Sequence, residues 1–114
     1  MKRFLFIVFF FASVISTFSQ MITTDPVVPT TGKLIKVFYD SSKDPDGLHN
    51  YTGDLYAHTG VFIQGTTGWQ KVKGSWGSNS TQPKLSYLGN YRYELDITPD
   101  IKTFYALSPT DFVT

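Results

Sequence analysis

The side chains able to do chemistry in this chain are few, and their spacing says more about binding than about reaction. The two histidines, His49 and His58, are nine residues apart, and neither has a second histidine at a chelating interval. There is no cysteine, which excludes a disulfide scaffold, a thiolate zinc site and a cysteine nucleophile. Glu94 is the single glutamate, and nothing pairs it or any aspartate into a catalytic couple; no nucleophile elbow, phosphate loop or dinucleotide fingerprint is written. Asp40, Asp44, Asp46 and Asn50 gather around Gly47 with oxygens that suit calcium. Their spacing departs from the calcium-loop pattern, and Asp, Asn, Pro and Gly are also what a long surface loop uses. The expectation is therefore no catalytic residue, no metal and no cofactor within these residues. Asn50-Tyr51-Thr52 and Asn79-Ser80-Thr81 fit the glycosylation sequon.

The aromatic residues are more informative. In Asp54-Leu55-Tyr56-Ala57-His58, Tyr56 and His58 fall on one face of a strand by its period of two. Trp69 follows across a tight turn, beside Gln70, Lys71 and Lys73, and Tyr51 and Trp76 lie in flanking loops. A pyranose ring presents a face of C–H groups that packs on an aromatic plane, while its hydroxyls seek His, Gln, Lys or Asn. Tyr56 and Trp69 are candidates for stacking, His58 with Gln70 or Lys71 for hydrogen bonding, and Tyr51 and Trp76 for additional contact. The competing expectation is that Trp69 and the tyrosines form the core, as one Trp and several Tyr commonly do in sandwich folds.

The elements that must position these residues are strands. Met1-Lys2-Arg3, the apolar run Phe4 to Ile15 and the small residues around Thr17-Phe18-Ser19 have the three regions of a secretory signal peptide, residues 1–19, with Gln20 as the new N-terminus. The run is too short to cross a ~30 Å hydrocarbon core with ease. Removing Lys2 and Arg3 leaves 8 basic against 9 acidic side chains, near neutrality, which argues against a nucleic-acid partner. The expected localisation is secreted or cell-surface, with no membrane contact after cleavage.

Beyond residue 20, Gly and Pro punctuate short runs of β-branched and aromatic residues, and helical periodicity is not sustained. Lys33 to Asp40 and Asp54 to Gln64 read as strands, the second bent at Gly60. Trp69 to Lys73 reads as a short strand after the Gly65–Gly68 turn, and Lys84 to Leu88 with Tyr91 to Ile97 as a hairpin. Pro99 to Tyr105 reads as one helical turn with Thr98 as N-cap. Strands at this spacing predict an all-β fold, an antiparallel immunoglobulin-like β-sandwich over residues 20–114. It is a strand or two short of that architecture, and Asp111-Phe112-Val113-Thr114 looks like the start of another strand. The expectation is a domain incomplete at its C-terminus, followed by further chain.

The stretch Gly53-Asp54-Leu55-Tyr56-Ala57-His58-Thr59-Gly60-Val61, with Trp69-Gln70-Lys71-Val72-Lys73 and Trp76-Gly77, resembles the N-terminal sandwich of secreted Bacteroidetes proteins placed ahead of α-amylase-type glycoside hydrolases. It is also similar to the family 25 and 26 starch-binding modules. The Thr23-Thr24-Asp25-Pro26 entry and the Tyr91 to Ile97 strand with Pro99-Asp100-Ile101 also fit. His58 stands where the family 26 pattern has its second Tyr. The resemblance implies a non-catalytic α-glucan-binding module in which Tyr56, His58 and Trp69 contact the sugar, attached to a downstream enzyme domain. The alternative from another class is a spacer or docking domain with no ligand, whose aromatics are core. A secreted enzyme in its own right would need a carboxylate pair or metal site that the sequence does not contain.

Overall fold

The structure, a computed structural model, describes residues 3–9 as backbone and residues 21–113 in full. The expected cleavage region at Thr17-Phe18-Ser19 and Gln20 lies outside the described residues. The fold is all-β. Strands β2 (Ile22–Asp25), β3 (Ile35–Asp40), β5 (Ser86–Gly89) and β6 (Arg92–Ile97) form an antiparallel sheet in the order β2-β3-β6-β5. Strands β1 (Arg3–Phe9) and β4 (Leu55–Val61) form a parallel pair in unbroken register from Arg3↔Leu55 to Phe9↔Val61. One short helix, α1 (Ile101–Phe104), follows β6.

The period of two decides what is buried. Ile35, Val37 and Tyr39 of β3 and Tyr93, Leu95 and Ile97 of β6 face inward, and Leu55, Ala57 and Val61 of β4 join the same apolar cluster. Ile101 and Tyr105 belong to it as well. Lys36 lies on the opposite face of β3 and bridges Glu94 and Asp96 at 2.9 and 3.3 Å, so that face of the sheet is solvated. The core aromatics are Tyr39, Tyr93 and Tyr105, not tryptophan.

Each of these tyrosines takes a polar partner for its hydroxyl, as a buried phenol must. Tyr39 donates to Asp44 at 2.5 Å, and Tyr93 donates to the carbonyls of Tyr51 and Gly53 at 3.1 and 2.8 Å. Tyr105 and Thr59 share a buried hydrogen bond of 2.8 Å. Replacing Thr59 with Val keeps the shape and removes this bond. Thermal unfolding should show a loss of about 1 kcal/mol, and an unchanged transition would mean the bond adds nothing net.

The acidic loop is explained by the same hydrogen bonds. Asp40 accepts from the backbone N–H and hydroxyl of Ser42, Asp44 accepts from Tyr39 and from Asp46 N–H, and His49 Nδ1 contacts the Asp44 carbonyl at 3.0 Å. These side chains build the turn, and among the described residues no three acidic or histidine side chains converge as a metal site.

Three details differ from the sequence expectation. The helix cap is Asp100, not Thr98. The Asp100 carboxylate accepts from the Thr103 N–H at 2.7 Å, three residues on, where an N-cap oxygen finds its donor. Trp69 to Lys73 is not a strand, since it meets β4 through a single bridge, Val61↔Gln70. The second strand stops at Val61 instead of Gln64. At the other end, Val113 bridges Ile63 and Gln64 N–H donates to Phe112 O at 2.7 Å, so this segment does pair as strand-like chain.

Candidate functional site

The site is built on the outer face of β4 and on the chain that returns along it. After Val61 the chain turns at Gly65–Gly68 and comes back antiparallel. Gln70 exchanges both backbone hydrogen bonds with Val61, at 2.8 and 3.0 Å, and Lys73 N–H donates to Thr59 O at 2.9 Å. The chain then leaves the strand in an excursion from Gly74 to Gln82. It rejoins where Ala57 N–H donates to Pro83 O at 2.8 Å and Leu85 N–H donates to Leu55 O at 2.9 Å. Gly60 lies under the first return segment, its α-carbon facing Gln70 O and the Val72 side chain. A side chain there would press on backbone, which is why a glycine interrupts an otherwise branched and aromatic strand.

This path places two indoles around one imidazole. The centroid of His58 is 5.3 Å from that of Trp69, with the planes tilted by 39°, and 4.7 Å from that of Trp76, edge to face at 72°. Trp69 comes from the first return segment and Trp76 from the excursion. Because the two indoles meet the shared ring at different angles, the surface they make is bent, not flat. Trp76 is 59% exposed, Trp69 and His58 are half-buried, and none of the three belongs to the core cluster. Tyr56 lies on the same face of β4, two residues before His58, at the bridge to Lys84.

The residues expected to surround His58 are not all brought to it. Gln70 turns its amide back into its own turn, donating to Thr67 O at 3.0 Å. Lys71 is exposed, with a left-handed backbone, φ 55°. Lys73 places its ammonium over the Phe104 ring at 4.9 Å. Tyr51 braces the loop ahead of β4, its hydroxyl donating to Asp54 O at 2.8 Å. One polar neighbour of His58 is Gln82, whose Nε2 is 2.9 Å from His58 Nδ1. Sequence reasoning had no means to find Gln82, because the length of the excursion decides which residue faces His58 when the chain rejoins β4.

A surface depression of about 410 Å³ lies elsewhere, lined by Thr52, Asp54, Lys84 and Tyr87 among others. It holds the exposed ion pair of Lys84 and Asp54, 3.2 Å apart, and none of the aromatic cluster. What the cluster can do chemically is stack and hydrogen-bond: two indole faces at an angle with an imidazole between them. No protein-family model matches this chain, and no curated protein matches its sequence.

Proposed function

We propose that the domain is an exported, non-catalytic carbohydrate-binding module that takes an α-glucan on the Trp69–His58–Trp76 surface, as an accessory to an enzyme domain in the same protein. The observation that carries this reading is the placement of both tryptophans outside the core, around a histidine, on one sheet face. Burying an apolar core does not call for two indoles there, and Tyr39, Tyr93 and Tyr105 already fill it. Aromatic planes with an adjacent polar group are the equipment for a sugar, whose C–H face stacks and whose hydroxyls bond. The bend between the indoles favours a curved glucan chain over a flat ribbon. A shallow surface of this kind buries little ligand area, so the affinity is modest.

Tryptophan fluorescence tests it. Titration with maltoheptaose should give a saturable change, and a cello-oligosaccharide of similar length should give none. Trp69→Ala and Trp76→Ala should each weaken binding by about tenfold, the loss of some 1.4 kcal/mol of stacking. A folded protein that responds to neither sugar favours the alternative, a spacer or docking domain. That reading draws on the apolar pair Val27 and Val28, 86% and 75% exposed between two prolines.

A further inference from the structure

The backbone hydrogen bonds of β4 sort its residues between two edges. A strand residue sends its N–H and C=O to one side, and its neighbour sends them to the other. Leu55, Ala57, Thr59 and Val61 all bond towards the returning chain, to Leu85, Pro83, Lys73 and Gln70. Tyr56, His58 and Gly60 therefore turn their backbone groups to the opposite edge, the one along which β1 lies in parallel. Gln64 keeps the parity of that second edge, and its N–H donates to Phe112 O at 2.7 Å. Val113 pairs there with Ile63 in antiparallel sense, just beyond the last β1 pair, Phe9↔Val61. The chain at Val113 is thus aimed back along β4, into the stretch that β1 covers. One edge cannot hold both strands.

We propose that the outer edge of β4 is the seat of a strand that continues antiparallel from Val113, and that β1 holds this seat only until residues 1–19 are removed. The proposal rests on the export reading and on the expectation of further chain after Thr114. In the Val113↔Ile63 register each further residue meets one residue earlier on β4. The second, fourth, sixth and eighth residues after Val113 then stand opposite Val61, Thr59, Ala57 and Leu55. All four are fully buried, so the incoming strand is apolar at these alternate positions. β1 already meets three of them with apolar residues, Leu5, Ile7 and Phe9. Removing β1 with no successor would leave the backbone groups of Tyr56, His58 and Gly60 on a bare edge, a template for pairing with other chains.

The test is backbone hydrogen exchange of the full-length protein purified from its own cells, read at the amides of Tyr56, His58 and Gly60. Mass spectrometry of the N-terminus of the same sample shows whether residues 1–19 are gone. The expected result is a leader-free chain whose three amides exchange about a hundredfold slower than unpaired ones, at every protein concentration. A disulfide then identifies the occupant, since the 114 residues contain no cysteine. Val61 and the residue after Thr114 fall at a non-hydrogen-bonded pair, whose close α-carbons suit a disulfide. With both replaced by cysteine, oxidation should link them within one chain. Fast exchange in a folded, leader-free protein overturns the proposal. So does protection that is lost on dilution, which assigns the edge to a second copy, and so does a protein that ends at Thr114. A protein that keeps residues 1–19 rejects the export reading; the intrachain disulfide in it would uphold the seat, and its absence would overturn that too. If the cysteine variant does not fold, exchange in the wild-type protein decides.

Discussion

Alkaline solution should unfold this protein over a narrow range above pH ~10, where most domains of its size still hold. Three buried tyrosines carry the effect. Burial pushes the Tyr39 hydroxyl well above the ordinary tyrosine value, and its hydrogen bond to the Asp44 carboxylate pushes it further. Burial pushes Tyr105 up, with its bond to Thr59 acting the other way. Burial also pushes Tyr93 up to about 12, helped by Tyr51, Tyr87 and Asp54 nearby. The sign follows from proton counting. Above pH ~10 the unfolded chain releases these protons and the folded chain keeps them, so stability is full below that pH and falls as pH rises towards the folded values. Each group removes about 1.4 kcal/mol per pH unit. Over two units the three together remove several kcal/mol, a large part of the stability of a small domain. Phenolate absorbance and circular dichroism should therefore change together. A gradual rise in phenolate absorbance near pH ~10 with the secondary structure intact would show that the three hydroxyls are not shielded. Tyr39→Phe should flatten the pH dependence by one group's share.

Replacing Gly74 with Ala should cost about 3 kcal/mol and remove the aromatic site as well. Gly74 stands at the neck of the excursion with φ 71°, and a β-carbon there would lie 2.3 Å from the Thr81 carbonyl oxygen and 2.6 Å from its carbon. Both neighbours are backbone, so neither can swing away, and relief requires the neck to open. Trp76 and Gln82 hang from the two sides of that neck, one stacked on His58 and the other bonded to it. Gly77 is the control. It has φ 84°, but an added β-carbon meets nothing within 4 Å, so Gly77→Ala carries only the left-handed strain of about 1–2 kcal/mol. Thermal unfolding and maltoheptaose titration should separate the pair, with Gly74→Ala less stable and non-binding and Gly77→Ala close to wild type in binding. Equal behaviour of the two would show that the neck does not hold the site together.

The strands were legible where alternation was strict. Ile35, Val37 and Tyr39 against Lys36 and Phe38, and Tyr93, Leu95 and Ile97 against Arg92, Glu94 and Asp96, declare their inner faces from residue type alone, and β3 and β6 follow. The proximity of Trp69 to His58 was legible for the same reason, since a tight turn after β4 returns the chain beside it. The chain from Gly74 to Leu85 was not legible. It rejoins β4 at the Tyr56↔Lys84 bridge, in a different register from the Val61↔Gln70 bridge that precedes the loop, and no periodic pattern records where such a loop rejoins. Gln82 owes its role to that rejoining point. The helix cap was misplaced by two residues because Thr98 and Asp100 are both good caps; the contact to Thr103 N–H decides between them.

The pairing of β1 with β4 makes time a variable in the life of this protein. The segment expected to direct export, residues 1–19, includes Arg3–Phe9, and those seven residues lie in register along Leu55–Val61. A strand cannot be read as an address while it is closed into a sheet. During synthesis β1 leaves the ribosome before its partner exists, by a few seconds at ~5–20 residues per second, and for that interval the segment is unpaired by β4. Once β4 has formed, pairing competes with any other use of the segment, and it becomes harder to reverse as β4 packs. If residues 1–19 direct export as the sequence predicts, export is a race between recognition and pairing, and slowing the arrival of β4 is one way to win it.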